Sequence, residues 1–209
     1  MRYSNFKNAF KSYIKNNYKE YVLVSLLFII GIFVGVMIIN NIKYQQTAEI
    51  TSFISEFITK YKELENINKT ALIIESIRKN LIFAIVLWLA GTTVIGMPIV
   101  LIIILLRGTI LGFTISSISV TLGPLKGSLF CLISIVLHNI IYIPAILSIG
   151  VSSIKLYKSI IKDKRKENIK IEIIRHTIIF GLMMILLVLS AIIENVISIS
   201  ILKKFIKYF

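Results

Sequence analysis

Arg107, His138 and Glu194 are ionisable side chains set inside long runs that otherwise carry no charge. Counted back from one common end of the helices expected around them, they lie about 8 to 13 residues deep. At helical rise that is about 12–20 Å, close enough in level for the three to meet. A charge near the centre of a membrane helix costs about 2.5–3.5 kcal/mol on insertion scales, which argues against an unpaired side chain facing lipid. The chemistry on offer is a buried Arg107–Glu194 ion pair with His138 and Asn139 beside it, serving either structure or a path for protons or ions. A single intramembrane acid favours structure, because a pump or channel is expected to carry more than one.

Residues 137–150, LHNIIYIPAILSIG, place His138, Asn139, Tyr142 and Pro144 near the middle of an apolar run. Ser134, His138 and Tyr142 recur every four residues and so share one helix face, with Asn139 next to it, and that face is expected to look inward. Pro144 removes a backbone donor and frees a carbonyl in the preceding turn, which buried Ser, Asn or His side chains can help to satisfy. No phosphate loop, dinucleotide fingerprint, H-E-x-x-H pair or nucleophile elbow occurs. His176 falls at a helix end, where an interfacial cap is the expectation, and Cys131 is the only cysteine, so one chain can build neither a disulfide nor a thiolate metal site. No catalytic residue, cofactor or metal is therefore expected, and the protein is not expected to be an enzyme.

Composition says what must hold these residues. The chain has 209 residues, 56% of them hydrophobic, a mean hydropathy of +0.87 and a formal charge of +14. A soluble domain is about 45–50% apolar and interrupts its apolar positions every few residues, so this is an all-α integral membrane protein in expectation. A basic N-terminus, 1–20, precedes the uncharged stretch 21–42, about 33 Å of helix against a hydrocarbon core of about 30 Å. The run 81–122 is twice too long for one crossing. Its breakers Gly91, Gly96 and Pro98 divide it into passes at 79–95 and 97–120. A glycine- and proline-bearing turn, LGPLKG, leads to a fourth pass at 127–154, the basic segment 155–175 follows, and a fifth pass runs 176–202 before the tail 203–209. Five passes put both strongly basic segments in the cytosol, as the positive-inside rule requires, and leave 43–78 outside. Lys203, Lys204 and Lys207 then also end outside, against the rule.

Within the outside segment Ile50, Phe53, Ile54, Phe57, Ile58, Tyr61 and Leu64 recur at helical spacing with polar residues between them, the pattern of an amphipathic helix. Its apolar stripe suits the protein's own outer surface or the headgroup layer, or else a partner, with Phe53, Phe57 and Tyr61 as the candidate face. Segment 155–175 fits membrane lipid headgroups, and nucleic-acid binding is not expected, because topology already explains its charge. Gly31 and Gly35, and Gly108 and Gly112 extended by Ser116, put small residues on one face of a helix and read as packing sites, in the same chain or another.

The stretches WLAGTTVIGMP, RGTILGFTISS and HNIIYIPAILSIGVSS, in that order and spacing, resemble the bacterial stage II sporulation protein M family. The likeness takes in the basic N-terminus, the first pass ending in Asn40 and Asn41, and Glu194 in the last pass. Family members often carry Pro-Gln where this chain has Leu137 and His138, which favours Asn139 over His138 as the residue of interest. The resemblance implies a multi-pass protein of the bacterial cell membrane, at the sporulation septum and engulfing membrane. It also implies a non-enzymatic scaffold for peptidoglycan-degrading partners resembling stage II sporulation proteins P and D. The rival expectation is a small permease or transporter subunit that uses Arg107, Asn139 and Glu194 as its pathway.

Overall fold

The computed structural model describes residues 12–63, 69–162 and 166–198. After a short helical stretch at 12–16 the described residues form α1 (Tyr18–Asn41), α2 (Tyr44–Glu63), α3 (Lys69–Gly91), α4 (Gly96–Leu122), α5 (Pro124–Cys131), α6 (Leu137–Lys162) and α7 (Lys166–Ile193). Two π-helical turns are spliced in, Leu132–Val136 between α5 and α6 and Glu194–Ser198 after α7. No strand occurs among the described residues. That is the expected outcome for chains in lipid, where every backbone N–H and C=O has to be satisfied within its own helix. Among the described residues four helical stretches are long and apolar enough to cross a membrane: Tyr18–Asn41, Gly96–Leu122, Pro124–Ile161 and Ile169–Val196. The perimeter is apolar, with Phe33, Ile102, Leu106, Ile140 and Ile178 all exposed.

α3 is long enough at 23 residues, about 34 Å, but Glu75, Arg78 and Lys79 make its first half too polar for the same class. It runs antiparallel to α7 along its length: Asn80 donates to the Leu187 carbonyl, Trp88 stacks on Phe180 at 5.5 Å, and Gly91 sits against His176. It closes at Gly91, short of the expected 95. Thr92 and Thr93 turn their hydroxyls back to the Leu89 and Ala90 carbonyls, and Thr93 Oγ1 accepts from the Gly96 N–H at the start of α4. Pro98 falls in the first turn of α4, where a missing N–H costs nothing. Its place is to begin that helix rather than to end the previous one.

The most extensive helix contact in the bundle joins α1 to α4. A Cβ on Gly31 or Gly35 would strike the carbonyls of Leu105 or Thr109, and one on Gly108 or Gly112 would strike those of Phe28 or Ile32. The two small-residue faces are therefore pressed against each other, within one chain, and the residue numbers rise together along the seam, so the helices are parallel. In lipid the hydrophobic effect does not drive helices together, and such close backbone approach supplies the dispersion contact that does. Around the seam Val24, Val100, Ile104, Ile146 and Ile149 are almost fully buried. Ser116 continues the α4 face one turn on and is half-buried.

α4 and α5 meet at Gly123, whose φ of 80 and ψ of 162 are open to glycine alone. The helix that follows reaches further than the expected fourth pass, through Lys155 and Lys158 to Lys162, and α7 resumes at Lys166, so most of the basic segment is helical. Lys158 pairs with Glu20 and Lys155 lies 5.1 Å from the Tyr13 ring centroid, which brings the two lysine-dense segments to the same end of the bundle. The lysines of the tail lie outside the described residues. α2 rests against the far end of α4, with Ile54 on a small apolar cluster of Ile118, Phe130, Cys131 and Ile133.

Candidate functional site

α3, α4, α6 and the π-helical turn after α7 border an open cavity of about 380 Å³. Arg107, His138, Tyr142 and Glu194 line it, joined by Ser76, Lys79, Asn80 and Phe83 of α3. Asn139 faces a second, smaller cavity that shares Arg107, His138 and Tyr142 as its wall. The ion pair expected between Arg107 and Glu194 is not formed, and no ion pair joins them among the described residues. The Arg107 guanidinium instead lies over two aromatic faces, 4.6 Å from the Tyr142 centroid and 5.8 Å from that of Phe83. A ring quadrupole attracts a cation without a carboxylate, and desolvation strengthens it to about 2 kcal/mol. Tyr142 is only 3% exposed, so that platform is fixed.

The π-helical turns pack side by side next to the cavity and set the positions of His138 and Glu194. Each has a buried asparagine close by. Asn139 donates its side-chain amide to the Ile135 carbonyl at 2.8 Å, and Asn195 donates to the Ala191 carbonyl at 2.8 Å. Ser190 Oγ donates to the His138 carbonyl, and Ser134 Oγ to that of Phe130. None of these reaches Ile140, four residues before Pro144, so the polar residues of this helix mend the π turn rather than the proline. Pro144 itself stays within α6, and Ser148 Oγ donates to its carbonyl. With its proton so used, Ser148 accepts from the Tyr21 hydroxyl at 3.0 Å, tying α1 to α6.

Sequence reasoning passed over Ser76, Lys79, Asn80 and Asn195. A signal existed for all four. Residues 76, 79, 80 and 83 repeat at helical spacing, and within each of the last two expected passes an ionisable residue precedes asparagine, at His138–Asn139 and Glu194–Asn195. His176 is also not the exposed cap that its position implied. It is 1% exposed, and its Nδ1 is 2.8 Å from Ser152 Oγ, itself 3% exposed, beneath Gly91. A hydroxyl against an imidazole is the first half of a nucleophilic dyad, yet both groups are sealed in packing, so the pair acts as a clasp between α6 and α7. Cys131 is buried and free. Among the described residues no three His, Cys, Asp or Glu side chains gather to hold a metal ion.

On the far end, α2 and the ends of α4 and α5 border an apolar groove of about 450 Å³. Phe53 lines it and is 71% exposed; the side chains of Phe57 and Tyr61 lie outside the described residues. The sequence profile of the stage II sporulation protein M family matches residues 24–199, which takes in most of α1, the glycine seam, the cavity and both π-helical turns. The chain belongs to the stage II sporulation protein M family. It is a sporulation-related membrane protein. Neither a curated protein nor a solved structure matches it.

Proposed function

We propose that this protein crosses the membrane five times with its N-terminus in the cytosol, and serves as a non-enzymatic platform for sporulation engulfment. It holds peptidoglycan-degrading partners, resembling stage II sporulation proteins P and D, at the septal and engulfing membrane. The observation that carries this reading is the family match over residues 24–199. Three features support the five crossings. α1 and α4 run parallel, α3 spans the bundle beside α7, and the lysine-dense segments share one end. By the positive-inside rule that end is cytosolic, which turns α2 and its groove toward the wall. There α2 acts as an amphipathic helix, with Ile54 packed down on the bundle and Phe53 standing open to a partner.

Affinity purification of the full chain from detergent-solubilised sporulating cells, with partners identified by mass spectrometry, tests this. A peptidoglycan hydrolase complex that is retained by the native chain and lost on Phe53→Asp or on deletion of 46–65 is the expected result. Solute flux in proteoliposomes, with no hydrolase recovered, would overturn the platform in favour of a transporter subunit.

A further inference from the structure

The cavity lined by Arg107 and Glu194 has a use that the recruiting role does not require. At about 380 Å³ it falls in the size range of small-molecule sites, about 300–1,000 Å³. Its walls carry two cations and one anion, but Lys79 is 72% exposed at the rim and already engaged with Glu75 at 3.4 Å. The uncommitted charges are therefore one of each sign, Arg107 and Glu194. They do not close on each other: Arg107 is held on the rings of Tyr142 and Phe83, and Glu194 is fixed at the start of a π-helical turn. The same wall carries the polar side chains of Ser76, Asn80 and His138. A simple anion in this space would face Glu194, and a simple cation would face Arg107. Only a ligand with both charges complements both poles.

We propose that this cavity binds a small zwitterion, a primary amine joined by a short chain to a phosphate, with the phosphate toward Arg107 and the ammonium on Glu194. The guanidinium fork suits phosphate oxygens, and the Glu194 carboxylate suits a primary ammonium. This chemistry has two sources, the headgroup of phosphatidylethanolamine and free phosphoethanolamine. The proposal stands apart from the recruitment of partners and survives its failure.

Purified full-length protein in uncharged detergent, titrated with labelled phosphatidylethanolamine, is the test. Saturable binding is expected, competed by unlabelled phosphatidylethanolamine and not by phosphatidylglycerol, which has the phosphate without the amine. Competition by soluble phosphoethanolamine as well assigns the free zwitterion; its failure to compete while the lipid succeeds assigns the headgroup. Arg107→Gln and Glu194→Gln are each expected to weaken binding roughly tenfold or more, and Glu194→Asp to weaken it less. Equal competition by phosphatidylglycerol, unchanged binding in Glu194→Gln, or the absence of saturable binding would overturn it. The competition arm uses only the native chain, so it decides the matter even if a variant does not fold.

Discussion

Single residues in this protein are constrained for opposite reasons, and two glycines make the contrast. A Cβ at Gly123 would meet nothing within 4 Å, yet its φ of 80 forbids one. Gly123→Ala is expected to destabilise by about 1–3 kcal/mol through backbone strain alone, read as a lower midpoint of thermal unfolding in detergent. Gly112 has ordinary helical backbone and no room, because a side chain there would enter the Ile32 carbonyl. Gly112→Leu is expected to cost more than Gly123→Ala and to reduce the amount of assembled protein. Gly181→Ala, on a helix where nothing lies within 4 Å of the added carbon, is expected to leave both unchanged. The glycine spacing was readable from the chain, but the identity of the facing helix was not. A row of small residues looks the same whether its neighbour belongs to the same polypeptide or to another. The level of Arg107, His138 and Glu194 was also readable, since helical rise converts sequence distance into depth. Their rotation about the helix axes was not, and rotation decides that Arg107 meets Tyr142 and not Glu194.

Among elements, the distinction is between the lipid-facing sides of helices, which are interchangeable, and the clasps that fix their pairing. Ser152 with His176 joins α6 to α7 at one end, while the paired π-helical turns join the same helices at the other. Ser152→Ala leaves the buried His176 Nδ1 without a partner and is expected to cost about 1–3 kcal/mol, measured against Thr177→Ala, an exposed hydroxyl beside His176 on α7, as control. Helix boundaries were the least legible feature. α3 begins at Lys69 and α6 runs on to Lys162, because charged residues at a helix end remain helical once they leave the hydrocarbon, and hydropathy marks only the part inside it. The π-helical turns left no periodic trace, since a single inserted residue shifts the apolar pattern by less than the width of the stripe.

For the molecule as a whole, the reading rests on which compartment each end faces. In a Cys131→Ala background, Ser55→Cys on α2 is expected to react with a membrane-impermeant maleimide in intact cells, and Lys170→Cys only after permeabilisation. Both positions are exposed, so their labelling reports compartment rather than burial. Reaction of both from outside would overturn the five crossings, and reaction of Lys170→Cys alone would reverse the orientation of the groove that holds Phe53. The parallel seam has one more consequence, and it concerns synthesis. The first helix leaves the ribosome well before the fourth, and at about 5–20 residues per second the two halves of the seam emerge several seconds apart. During that interval the face of Gly31 and Gly35 has only acyl chains against it. Insertion must therefore keep an unfinished groove from pairing with the same groove on a neighbouring nascent chain.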